Sequence, residues 1–205
     1  MLIGLIDLEV GNLGSLQSAL NNLNVNFKIC KSINDIVGCN KIILPGVGAF
    51  GDFAMRMKKN EIDFKIKELY KKKYPILGIC VGFQIFFEKS FEHGESQGLK
   101  ILKGEFISLN KYNTNLTIPH VGWNQCKIIH KNNKLFNGIQ NNSDFYFTHS
   151  FFLQNYNSKD ILSITSYDHD FVSSINKDNL FGVQFHPEKS QKNGLRILKN
   201  FIELC

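Results

Sequence analysis

The chain is 205 residues long and 43% hydrophobic, and its formal charge of +6 is spread over lysines with acids interleaved. That length and apolar content suit one globular domain over 1–205 and leave no stretch that reads as disordered. No run pairs arginines with exposed aromatics, as a nucleic-acid binder would, and no apolar run reaches membrane-spanning length.

The start from Met1 to Asp7 lacks the basic region and cleavage site of a secretory signal. Cys30, Cys39, Cys80, Cys126 and Cys205 form no C-x-x-C pair, so free thiols in a reducing cytoplasm are expected, with no metal site.

In chain order, residues 2–6 are continuously apolar and end at Asp7, the pattern of a buried strand. Leu13, Leu16, Ala19, Leu20 and Leu23 recur at helical spacing and predict a helix over 12–23 capped by Asn12. Strands are expected at 25–29, 41–44 and 76–79. Helical material should fill 50–70 in two pieces broken near Asn60, and a further helix should begin beyond Cys80. Strand alternating with helix is the grammar of an α/β fold: a parallel sheet with helices on both faces and sites at the carboxyl ends of its strands.

From about Gly104 the segments shorten and become rich in Phe, Ile, Tyr and Thr, separated by Asn, Asp and Gly. They predict strands and hairpins at 105–109, 125–129, 145–148, 161–167, 171–175 and 180–185. Leu195, Leu198, Phe201 and Ile202 share one face and close the chain as a helix over 192–204.

The fourth strand runs straight into Gly78-Ile79-Cys80-Val81-Gly82-Phe83-Gln84. A nucleophile with glycine two residues away on either side, between a strand and a helix, has the spacing of a nucleophile elbow; small neighbours let strand and helix pass closely while the nucleophile takes a strained backbone. The plainer alternative is a buried cysteine beside turn glycines. The third strand ends in Pro45-Gly46-Val47-Gly48-Ala49-Phe50-Gly51, which matches G-x-G-x-x-G, but the dinucleotide fingerprint belongs at the first strand-helix turn with an acid closing the next strand. The other reading of these glycines is a turn whose N–H groups face the neighbouring strand end at Cys80 as an oxyanion hole.

A thiol is mostly protonated at neutral pH, so a catalytic Cys80 needs a base. Among six histidines, His93 and His130 sit in polar loops, His169 lies between aspartates in a hairpin turn, and His120 and His149 sit in apolar contexts that suit a core or interface. His186 follows the strand at 180–185 and begins His186-Pro187-Glu188, where alternation in an extended segment would place the ring and the carboxylate on one side. Histidine as base, with a carboxylate holding its tautomer, is triad logic.

These residues resemble the triad glutamine amidotransferases of class I. Pro45 to Phe50, Pro119-His120-Val121-Gly122-Trp123-Asn124, Phe145-Tyr146-Phe147-Thr148-His149-Ser150 and Gly182 to Ser190 narrow the likeness to the glutaminase subunits of imidazole glycerol phosphate synthases. The resemblance implies a flavodoxin-like fold with a hairpin-rich second half, no cofactor and no metal. It implies Cys80 as nucleophile, His186 as base, Glu188 as its orienter, and an oxyanion hole from Gly46, Val47, Gly48 and Val81. Gln84, Thr148, His149, Ser150 and Phe151 would hold L-glutamine.

Ammonia would pass to a (β/α)₈ cyclase subunit, HisF, for histidine synthesis, with Trp123 and Asn12 at the interface of the two chains. The segment Asp7-Leu8-Glu9-Val10-Gly11 departs from the aspartate-tyrosine-glycine start usual in that family. Two other readings share the triad: a paralogue supplying ammonia for surface-sugar amidination, and a stand-alone γ-glutamyl cysteine hydrolase. A nucleotide-binding module on Gly46 to Gly51 would use none of it.

Overall fold

The computed structural model describes residues 1–11, 13–112, 115 and 117–205. The first half runs β1 (Ile3–Ile6), α1 (Gly14–Asn22), β2 (Phe27–Cys30), β3 (Lys41–Gly46), α2 (Phe50–Lys59), α3 (Ile62–Lys71), β4 (Ile76–Cys80) and the short α4 (Val81–Gln84). The second adds β5 (Lys89–Ser90), β6 (Ser96–Gln97), β7 (Glu105–Ser108), β8 (His120–Ile128), β9 (Ser143–His149), β10 (Phe151–Gln154), β11 (Ile161–Tyr167), β12 (His169–Lys177), β13 (Leu180–Val183) and α5 (Gln191–Leu204).

Among the described residues, nine strands make one mixed sheet in the order β2-β1-β3-β4-β13-β12-β11-β8-β9, and β10-β7-β5-β6 form a smaller one. β2, β1, β3, β4 and β13 are parallel neighbours, and the pairing turns antiparallel from β13 to β9. β1 and β4 are buried at every position, as their unbroken apolar runs require of strands covered on both faces. The decisive step in the topology is late: β13 leaves the antiparallel half and inserts beside β4, pairing Gly182 with Gly78 and Val183 with Ile79. The residues that follow β13 are thereby delivered next to Cys80.

Several expectations shift for physical reasons. The strand expected at 25–29 begins at Phe27, because Val25 N–H still bonds Leu20 O at the end of α1 and Asn24 is left-handed at φ 54°. The break near Asn60 is as expected, with Glu61 at φ 57° between α2 and α3. The helix beyond Cys80 is only four residues long, since the Ile85 and Phe86 carbonyls accept from Leu99, Ile101 and Leu102 instead of continuing it. The expected cap Asn12 lies outside the described residues, and α1 starts at Gly14. β8 begins at His120, earlier than the 125–129 expected, and the short β5, β6 and β10 were not anticipated; these carry too few residues for a periodic signal.

Candidate active site

Cys80 ends β4 with φ 53° and ψ −113°, a conformation that a residue with a side chain adopts at a cost of about 1–3 kcal/mol and keeps only when its surroundings impose it. The surroundings do impose it. A Cβ on Gly82 would lie 1.8 Å from Leu44 O, and one on Gly78 would lie 2.3 Å from Gly82 O, so α4 crosses β3 and β4 at backbone contact. The thiol, 4% exposed, points toward Thr148 O at 3.8 Å and accepts from Gln184 Nε2 at 3.7 Å.

His186 is buried and fastened to β9 through its backbone: its N–H donates to Tyr146 O at 2.8 Å, and Ser190 Oγ donates to His186 O at 2.6 Å while accepting from Tyr146 N–H. Nδ1 meets Glu188 Oε1 at 2.8 Å. This contact does not come from the extended alternation expected. Pro187 opens a 3₁₀ turn over Pro187–Lys189 that folds the carboxylate back onto the ring, consistent with proline's fixed φ at a first helical position. Nε2 of His186 has no hydrogen-bond partner among the described residues. Burial alone pushes this imidazole down, but the facing Cys80 sulfur and the bonded Glu188 carboxylate outweigh it and raise the ring to about 10.

A cavity of about 350 Å³ opens over these groups. Cys80, Val81, Gln84, His186, Val47, Gly48, Thr148, His149, Ser150 and Phe151 all line it, so β3, β4, β9, β10 and the turn after β13 converge on one space. Gly46 lines a smaller adjoining hollow with Val10, Gly11, Val47, His186 and Glu188, which sets Val10 and Gly11 of the atypical loop beside the His186–Glu188 pair. Gln84 is buried with one Nε2–H given to Gln184 Oε1 at 3.0 Å, which orients its amide in the cavity wall.

Two residues in this space escaped the sequence reading. Gln184, the lone polar residue in Phe181-Gly182-Val183-Gln184-Phe185, is buried and joins Gln84 to the thiol; a polar side chain within an apolar strand was its signal. Among the described residues Glu92 is the sole carboxylate lining this cavity, and one of its oxygens accepts from Phe50 N–H at 2.7 Å. That bond also occupies the first N–H of α2, where the Gly46 to Gly51 turn would need to receive a phosphate, so the fingerprint is a turn beside Cys80 and not a phosphate cradle.

Trp123, in contrast, lies away from the cavity lining. It is 48% exposed on β8 beside Val121 at 55%, with its ring edge-on to Tyr146 at 6.0 Å, so it is a surface residue and not a core one. The helices present are not long and apolar enough to cross a membrane, among the described residues.

The family model described as glutamine amidotransferase class-I matches residues 4–204. The chain belongs to the class-I glutamine amidotransferases. It is 42% identical to imidazole glycerol phosphate synthase subunit HisH 1 of Campylobacter jejuni strain RM1221, covering 99% of this chain and 100% of that one. It is 45% identical to the HisH subunits of Caldanaerobacter subterraneus and Methanocaldococcus jannaschii, with 99% of this chain covered and 98% and 100% of theirs. Solved structures share the fold at low identity. A glutamine amidotransferase crystal structure superposes with a TM-score of 0.76 at 15% identity, covering 98% of this chain and 97% of that one; PurLQS from Thermotoga maritima does so at 0.76, 17%, 98% and 97%. As a class-I amidotransferase the chain is an enzyme, and its α/β fold is that of the family.

Proposed function

We propose that the chain hydrolyses L-glutamine to glutamate and ammonia as the glutaminase subunit of imidazole glycerol phosphate synthase, one amidotransferase domain over 1–205 acting in histidine biosynthesis in the cytoplasm. The observation that carries this reading is the strained Cys80 at the floor of a cavity it shares with His186, whose other nitrogen is bonded to Glu188 at 2.8 Å.

In the proposed reaction the Cys80 sulfur attacks the side-chain amide carbon of glutamine. His186 takes the thiol proton as the sulfur attacks and passes it to the departing ammonia. Glu188, acceptor-only when ionised, holds the Nδ1 proton and so fixes Nε2 toward the cavity chemistry. The Val81 N–H at the start of α4 and the peptides of Gly46, Val47 and Gly48 are the donors for the tetrahedral oxyanion, each typically worth about 100 to 1000-fold in rate. The resulting thioester takes up water, with His186 now the base, and releases glutamate.

Gln84, Thr148, His149, Ser150 and Phe151 surround the substrate. Glu92, the sole carboxylate of the cavity lining among the described residues, suits the α-ammonium group of glutamine. A (β/α)₈ cyclase, HisF, is the proposed partner in a heterodimer with lyase activity; Trp123 and Val121, exposed side by side on β8, are its proposed anchors, large apolar side chains being the common centre of such interfaces. Asn12 belongs to the same proposed face by family likeness. With the cyclase and its substrate supplied, Cys80→Ala is expected to abolish product formation from glutamine and to leave formation from added ammonium intact. Equal loss of both would reject the reading.

A further inference from the structure

Two histidines outside the triad form a directed chain that ends at the cavity. His149 Nδ1 lies 2.9 Å from Phe151 O, and a carbonyl only accepts, so Nδ1 carries the proton. Burial holds the His149 ring down at about 3, so it is neutral and its Nε2 is a bare acceptor. His120 Nδ1 lies 3.1 Å from that Nε2 and must therefore be the donor. His120 is also neutral, burial holding it down at about 4, which leaves its Nε2 to accept from Asn124 Nδ2 at 3.4 Å. Asn124 is fixed in turn, its amide donating to Ser166 O at 2.9 Å and its carbonyl accepting from Gln125 N–H at 2.8 Å. Every proton in the sequence Asn124, His120, His149, Phe151 is thus assigned by the carbonyl at its end.

The place of this chain in the fold is specific. Residues 149–151 are where the backbone leaves the nine-stranded sheet at the end of β9 and enters the four-stranded sheet at β10, and Thr148, His149, Ser150 and Phe151 line the cavity there. The β9 ladder ends at His149 opposite His120, the β10 ladder begins at Phe151 opposite Ser108, and Ser150 O accepts from Leu109 N–H between them; to this backbone frame the His149 ring adds a side-chain bridge to Phe151 O. His120 lies outside the cavity lining, clamped between Tyr167 at 4.0 Å and Phe147 at 5.0 Å in near-parallel stacks.

From this geometry we infer that His120 is a positioning residue for glutamine: through its Nδ1–H it sets the His149 ring, and through that ring the 148–151 wall of the cavity. This inference rests on the glutaminase reading for its kinetic consequence but not for its proton assignment.

The test has two arms. Imidazole ¹⁵N spectra of the intact chain at neutral pH should show His120 and His149 both as the Nδ1–H tautomer, the rarer one in free histidine; either ring found as Nε2–H overturns the inference whether or not the chain hydrolyses glutamine. In the second arm, His120→Phe keeps the stacked ring but removes the donor, leaving a buried acceptor unpaired. It should raise the glutamine KM about tenfold, the scale of one such lost bond, with kcat changed far less.

His120→Asn, whose amide nitrogen replaces Nδ1–H, should restore most of that KM. An unchanged KM in the Phe variant, or no difference between Phe and Asn variants of equal melting temperature, overturns the inference. If the variants do not fold, the tautomer result decides. Wild-type protein that shows these tautomers but never turns over glutamine counts against the glutaminase reading alone.

Discussion

His186, paired with Glu188, and His149, paired with His120 behind it, border the same cavity, and burial has opposite outcomes in the two pairs. His186 is buried and yet held up at about 10, because the facing Cys80 sulfur and Glu188 both reward positive charge. His120 and His149 are also buried, but they bond each other, an amide and a carbonyl among aromatic rings, with the His186 charge adding repulsion at His149, and they stay neutral at about 4 and about 3. Burial disfavours a charged ring in every case, and the sign of the final shift is set by whether an anion faces it. The proposed roles follow that contrast, proton transfer at His186 and the holding of a shape at His120 and His149.

The largest expected effect separates the pairs by function. Cys80→Ala should lower glutamine hydrolysis by about 10⁴-fold or more, the scale for removing a nucleophile from a unit of this kind. It should also lower the titration midpoint of His186 and leave that of His120 unmoved, which NMR titration reads directly. Glu188→Gln should cost about 10³ to 10⁴-fold in kcat, as expected when the tautomer-fixing carboxylate is lost, and should also bring the His186 midpoint down. A His186 that titrates unchanged in either variant would break the contrast.

Stability against pH should then show the two pairs on opposite limbs. His186 binds its proton more tightly folded than unfolded, so its contribution is fully present below about 6.5, the unfolded value, and fades as pH rises toward about 10. The gap in urea stability between wild type and His186→Gln should therefore narrow from pH 6.5 to 10. His120 and His149 bind protons more weakly folded than unfolded, so they draw stability away as pH falls below about 6.5 toward 4 and 3. A double His120→Asn, His149→Asn variant should flatten that acid limb.

The smallest expected effect is at the surface. Trp123→Ala should change the melting temperature of the isolated chain by little, since half the ring is already in water, while weakening association with the proposed cyclase partner by about tenfold or more. A large loss of stability would place Trp123 in the core after all.

Much of the parallel half was legible in the residues. Continuous apolar runs marked β1, β3 and β4, and the glycines flanking Cys80 marked the elbow, because a strand buried on both faces and a turn without room for a Cβ each leave a compositional trace. The antiparallel half was legible in kind but not in extent: β8 carries both the exposed Trp123 and the buried His120, and its length depends on pairing with β9. Gln184 and Glu92 were missed because their importance lies in what they face, a sulfur 104 residues away and an N–H 42 residues away.

By itself the sequence determined a cysteine in a strained turn between glycines and a histidine with a carboxylate two residues on, since these depend on steric and chemical rules that act within a few residues. Only the tertiary structure decided that β13 inserts beside β4, that Pro187 folds Glu188 back onto His186, and that His120 and His149 stay neutral. Those outcomes depend on strand order and on the charge that faces each ring across the fold, and neither is written in the spacing of neighbouring residues.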